Sequence, residues 1–141
     1  MKIALYKATH AGLPGLYNRF VRWWDQGQYS HCEIIFSDGL SASSSYMDKG
    51  VRFKEIVYDD ANWDFFEISN SYESAARAWF ESHAGQGYDL IGNIRFALGF
   101  LKCPEDKWFC SESIGAALGI TDPWRLSPNG IAPILLLIAA Q

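Results

Sequence analysis

Two residues set the chemistry open to this chain. Cys110 stands in KWFCSESIGAALG, Lys107 to Gly119, and His31 stands in YSHCEIIF, Tyr29 to Phe36. Cys110 falls between an aromatic pair, Trp108 and Phe109, and a run of small residues that predicts a helix. A cysteine in the first turn of a helix faces unpaired backbone N–H groups and the positive end of the helix dipole. That setting lowers a thiol pKa and favours the nucleophilic thiolate. A cysteine by itself would equally pack as a small hydrophobe. His31 alters the reading, because an imidazole at the start of a strand can act as base to such a nucleophile, however distant in sequence. Glu33 shares a strand face with His31 by the two-residue period, so its carboxylate can orient the ring or line a groove.

The remaining titratable and sulfur groups are expected to stand aside. Cys32 follows His31 and is predicted to point to the opposite face, away from the chemistry. Cys103 lies in a predicted loop before Pro104. Glu112 reads as an exposed or helix-start carboxylate favoured by the helix dipole. His10 and His83 read as solvated. His31, Cys32 and Cys103 lack any standard zinc-ligand spacing, and GLPG and GQG match no phosphate-binding loop. No cofactor and no metal is implied.

The elements that must carry Cys110 and His31 follow from pattern. Ile3 to Tyr6 predicts a first strand, closed by Gly12-Leu13-Pro14-Gly15. Leu16, Phe20, Val21 and Trp24 recur at helical spacing and predict an amphipathic helix that buries this stripe and ends near Gly27. Strands are predicted over His31 to Phe36, Leu40 to Tyr46, Val51 to Ile56 and Trp63 to Ile68, with turns at Ser37-Asp38-Gly39 and Asp48-Lys49-Gly50. The order is strand, helix, then an antiparallel meander. Asn70 and Glu73 have the form of a capping box before a helix from Tyr72 to His83 that buries Ala75, Ala76, Trp79 and Phe80. A second helix is predicted over Tyr88 to Phe100, a loop over Leu101 to Lys107, and then the Cys110 helix. Ser127-Pro128 opens the last helix with an N-cap and a proline at its first position.

Composition bounds the rest. A chain of 141 residues holds one domain with a real core, expected to run from 1 to 141. A net charge of -4 without any basic stripe argues against nucleic acid as a partner. Three cysteines make no paired framework and suit a reducing compartment or a reactive thiol. The N-terminal stretch lacks the apolar core of a signal peptide, and IAPILLLIAA is too short to span a bilayer. The chain is therefore expected to have no integral membrane segment, and to act in the cytoplasm, after lysis, or from a phage particle. Six tryptophans are spread along the chain, most of them expected in the core and some along a groove.

Three blocks in this order carry a resemblance: SHCEIIFSDG with His31, GQGYDLIG with Gly87-Tyr88-Asp89, and WFCSES with Cys110. The usual papain-like order is cysteine first and histidine second. The reversed order resembles the circularly permuted NlpC-type members of the papain-like superfamily, which include YiiX-like hydrolases and lecithin retinol acyltransferase-like enzymes. The resemblance implies an α+β fold, with an antiparallel sheet of about five strands packed against helices. It implies Cys110 as nucleophile and His31 as general base. It also implies a polar residue on the strand after the histidine to orient the ring. That strand is LSASSSY, where Ser43 is nearest, beside Glu33 as the stronger carboxylate partner. The activity implied is that of a cysteine hydrolase cutting an amide bond, with the peptide stem of peptidoglycan as the substrate class of bacterial or phage relatives. Thioester or lipid acyl transfer is the alternative within enzymes, and a non-catalytic peptide- or lipid-binding module is the alternative outside them.

Overall fold

The apolar run in KIALY and the strands HCEII and WDFFE build one side of a single sheet. The computed structural model describes residues 1–9, 12–89 and 106–139. Strand β1 (Lys2–Tyr6) pairs antiparallel with both β2 (His31–Ile35) and β5 (Trp63–Glu67). Strands β3 (Ser41–Ser45) and β4 (Gly50–Lys54) extend the sheet on the β2 side. Two short strands, β6 (Gly87–Tyr88) and β7 (Lys107–Trp108), complete it in the order β5-β1-β2-β3-β4-β6-β7. The class is α+β, with seven strands rather than about five. All neighbours are antiparallel except β6 and β7, which are parallel.

The predicted meander is also corrected. Strand β5 does not follow β4 in space but returns to β1, setting Phe66 beside Ile3 and Trp63 beside Tyr6. Burial selects this pairing: Phe66 packs on the core that holds Ile3, while Tyr6 and Trp63 stack on the other face at 4.9 Å. The 55–62 segment that makes the return carries Tyr58 over that second face, its hydroxyl donating to Ser41 Oγ at 2.8 Å.

The helices pack on the first face. Among the described residues these are α2 (Glu73–His83), α3 (Cys110–Ala117) and α4 (Pro128–Ala139), while α1 (Gly12–Trp24) adds no residue to that core. Ile3, Leu5, Cys32, Ile34, Ala42 and Val51 of the sheet meet Ala76 and Phe80 of α2, Cys110 and Ile114 of α3, and Ile131 and Leu135 of α4. Short α3 lies at the centre, touching β2, β3, α2, α4 and the 3-10 turn at Pro123–Arg125. Its small residues allow this. A Cβ on Gly115 would come within 3.0 Å of Leu126 and 3.1 Å of Pro123. Ser111 Oγ donates to the Leu126 carbonyl at 2.6 Å, tying the helix to the same segment.

Gly50 is a second close approach. Its φ of +149° suits glycine, and a Cβ there would stand 1.9 Å from the Gln86 carbonyl oxygen. That carbonyl accepts the Val51 N–H at 2.9 Å, which seats β6 on β4. Strand β7 then delivers the chain to Cys110.

Other expectations need correction. In α1, Val21 is buried but Leu16 is 64 % exposed and Phe20 39 %, so the apolar stripe does not turn inward as a whole. Asn70 and Glu73 form no capping box. Residues Asn70–Tyr72 make a 3-10 turn capped by Ser69 Oγ, and Glu73 Oε1 instead accepts from Ser37 N at 3.0 Å and Ser37 Oγ at 2.6 Å. Within α2, Ala76 and Phe80 are buried while Ala75 is exposed. Gly87-Tyr88 is a strand, not the start of a helix. The helix expected over 90–100, Cys103 and His10 lie outside the described residues. The last helix begins as expected, with Ser127 Oγ accepting the Gly130 N–H at 2.8 Å.

Candidate functional site

A fork between two strands creates the site. Strand β2 pairs with β3 at Ile34 with Ala42 and at Ile35 with Ser41; toward His31 the two strands part. In place of the ladder, Ser43 Oγ donates to the Cys32 carbonyl at 2.7 Å. Beyond it β3 turns its bonds to the start of α3. Ser44 Oγ donates to the Trp108 carbonyl at 2.7 Å, and Ser44 N donates to Ser113 Oγ at 3.3 Å. Ser113 Oγ in turn donates to the Cys110 carbonyl at 2.8 Å. The run of small serines therefore lets the first turn of α3 dock against β3, beside the upper end of β2.

This brings the Cys110 thiol under the electrostatic influence of two side chains of β2, His31 and Cys32. On the far side of the imidazole, His31 Nε2 lies 2.7 Å from Glu33 Oε1. Nδ1 is then the nitrogen left for the thiol. Of the four residues singled out in the sequence, His31 and Glu33 are thus in contact, and Cys110 acts electrostatically on His31. Ser43 is not among them: the Cys32 carbonyl takes its hydroxyl, because Ser43 stands beside the fork and not beside the ring.

Behind Glu33 stands Arg52, which sequence reasoning missed as a site residue. Its Nη1 donates to Glu33 Oε2 at 2.7 Å and its Nη2 to Oε1 at 2.5 Å, a two-pronged clamp. Ser43 pairs with Arg52 in the β3–β4 register, and a residue this small lets the guanidinium reach across toward β2. Arg52 Nε also donates to Asp48 Oδ2 at 2.8 Å, and Lys54 Nζ donates to Asp48 Oδ1 at 2.8 Å. Only the β3–β4 register brings Arg52 to Glu33; alternation in VRFKE gave its face but not its partner.

The electrostatics favour a charged pair. Burial opposes charge on His31, but the neighbouring Cys110 and then Glu33 outweigh it and push its pKa up to about 10. The Cys110 thiol is held well below its ordinary value. A hydrogen bond from the Cys32 thiol is the largest cause, and the charge and hydrogen bond of the imidazole help overcome burial. Cys32 moves the other way, raised first by burial and then by its bond to Cys110 and the negative charge there. Burial would raise Glu33, yet hydrogen bonds and charge from Arg52 and His31 hold its pKa down. On Cys110, His31 and Glu33 alike, the shift runs toward the charged form.

Access is narrow. The His31 side chain is 22 % exposed, while Glu33 is 1 % and Cys110 4 % exposed, so solutes meet the imidazole edge first. Trp63 borders that edge, its ring centroid 6.3 Å from the imidazole, with Tyr6 and Tyr58 packed against it.

Three other expectations are corrected. Cys32 is not remote from Cys110: β2 sends it to the helix-covered face, where α3 lies. Glu112 is not exposed; of its two expected places it takes the helix start, buried, with its Oε2 accepting the Phe109 N–H at 3.4 Å. His83 is not merely solvated; it stacks on Trp79 at 4.0 Å and its Nδ1 lies 2.8 Å from the Trp79 carbonyl.

No family model matches the chain, and no curated protein matches it. Among the described residues, no helix is long and apolar enough to cross a membrane.

Proposed function

We propose that the protein is a cysteine hydrolase of the permuted papain-like kind, cutting an amide bond through Cys110, His31 and Glu33. The observation that supports this reading is the contact of the His31 imidazole with the buried Glu33 carboxylate, Oε1 2.7 Å from Nε2, on a ring that the Cys110 thiol influences electrostatically. In the reaction, the Cys110 thiolate attacks the substrate carbonyl carbon. A backbone N–H at the start of α3 stabilises the oxyanion. The imidazolium gives its proton to the departing amine as the C–N bond breaks, leaving a thioester on Cys110. Neutral His31 then takes a proton from water, whose hydroxide releases the acid product and restores the thiolate. Glu33 holds the ring and its charge through both halves.

The substrate class we assign is a peptide stem of peptidoglycan, met in the cytoplasm, after lysis, or from a phage particle. Acyl transfer from a thioester or lipid ester is the second reading, favoured by the aromatic residues Tyr6, Trp63 and Tyr58 beside the imidazole edge. One experiment separates them: turnover of stem peptides and of acyl thioesters by the parent and by Cys110→Ser. Cleavage of the amide by the parent alone supports the hydrolase. Turnover of the thioester alone favours acyl transfer. Turnover of neither, with an ordinary thiol at Cys110, leaves a binding module.

A further inference from the structure

We infer that Arg52 is a positioning residue for this site, acting through Glu33 to set the pH range over which the Cys110–His31 pair stays charged. The inference rests on the Cys–His–Glu reading above and extends it to a second layer.

The chain of contacts runs His31, Glu33, Arg52, Asp48, Lys54, a basic group alternating with a carboxylate at each step. Glu33 is 1 % exposed, a burial at which a carboxyl by itself prefers to be neutral. A neutral Glu33 would take the proton that His31 must keep. Arg52 prevents this by binding both carboxylate oxygens. Its grip also fixes the plane of the carboxylate, because Nη2 and His31 Nε2 meet the same oxygen, Oε1. Arg52 does not float: Asp48 holds its Nε, and the carboxyl of Asp48 is drawn down to about 2, against burial, by Lys54 and Arg52. The other titratable group over Glu33 is Tyr58, which burial and the Glu33 charge keep protonated. The groups that act on the imidazole itself are Cys110 of α3 and Glu33 of β2.

A purely structural Arg52 would tie β4 to β2 and affect melting alone. A positioning Arg52 also governs chemistry. The test compares the parent with Arg52→Lys and Arg52→Ala, following iodoacetamide labelling at Cys110 by peptide mass mapping and peptide turnover, each against pH. Arg52→Lys keeps a charge but loses the two-pronged clamp, so it carries the test if Arg52→Ala folds poorly. The expected result is a fall in kcat of about tenfold or more with little change in KM, and an upper pH limit displaced from the parent's in Arg52→Ala. Added guanidinium ion should restore part of the loss in Arg52→Ala. Variants that melt lower but keep the parental pH limits and kcat would overturn the inference while leaving the hydrolase reading intact. A parent whose Cys110 labels only in the ordinary thiol range would overturn the reading itself.

Discussion

Glu33 Oε1 lies 2.7 Å from His31 Nε2, two residues further along the same strand. The two-residue period of β2 puts both on one face, and the guanidinium of Arg52 completes the shell around the carboxylate. Glu33→Gln keeps the shape and removes the charge. It leaves Arg52 without its anion and the imidazolium without its stabiliser. Turnover should fall by about 10²- to 10⁴-fold, as when a triad loses its orienting carboxylate. Stability should fall by about 1–3 kcal/mol. Parallel thermal melts and kinetics check both; a variant with parental turnover would remove Glu33 from the mechanism.

Cys110→Ser should separate fold from function. The substitution changes volume little, so the melt should stay close to the parent's. A serine hydroxyl has no accessible ionised form beside His31, so turnover should drop by several orders of magnitude. Hydrolysis of a stem peptide at parental rate by the serine variant would show that another group is the nucleophile.

Cys32 should tune the nucleophile without replacing it. Its thiol is the largest contributor to the low pKa of Cys110. Cys32→Ser keeps a hydrogen-bond donor, whereas Cys32→Ala removes it. Labelling of Cys110 at neutral pH should therefore be slower in Cys32→Ala than in Cys32→Ser. Equal rates in both, matching the parent, would show that the bond from Cys32 has no effect on the thiolate.

The pH behaviour follows from the signs of the shifts. Cys110 is depressed, so its thiolate should persist well below the ordinary thiol pKa of about 8.5, and labelling should continue into mildly acidic solution. His31 is raised, so the imidazolium, and the stability it contributes, is complete below about 6.5 and lost as the pH rises through about 10. Glu33 and Asp48 are lowered, Asp48 to about 2, so their stabilisation is present above about 4 and lost as the pH falls through their native values. Melting temperature against pH should decline at both ends, and Glu33→Gln should flatten the acid side. An acid limb that is unchanged in that variant would contradict the assignment.

Gly50→Ala tests how the thiol is delivered. The new methyl would press on the Gln86 carbonyl at a backbone angle that disfavours side chains. A loss of about 1–3 kcal/mol is expected, read from the denaturation midpoint. Because β6 and β7 lead to Cys110, labelling of the folded variant should also slow. A variant as stable as the parent would mean that β6 shifts without cost.

Local pattern determined much of what could be read in advance. The five longer strands, the last helix with its Ser127 cap, the short α3 and the alternation that pairs His31 with Glu33 all follow from nearest-neighbour physics along the chain. Tertiary structure decided what depends on register and on packing between distant segments. The return of β5 to β1 rests on which aromatic face finds a core. The two-residue strands β6 and β7 carry no period to detect and exist because Gly50 admits the Gln86 carbonyl. Ser43 and Cys32 exchanged their expected importance for one reason: the β2–β3 fork turns Ser43 onto a carbonyl, while α3 covers the face that Cys32 occupies. Arg52 reached Glu33 only because strand register set it across a serine small enough to pass over. Sequence spacing specifies which face a side chain takes; only the assembled sheet and helices specify what it meets there.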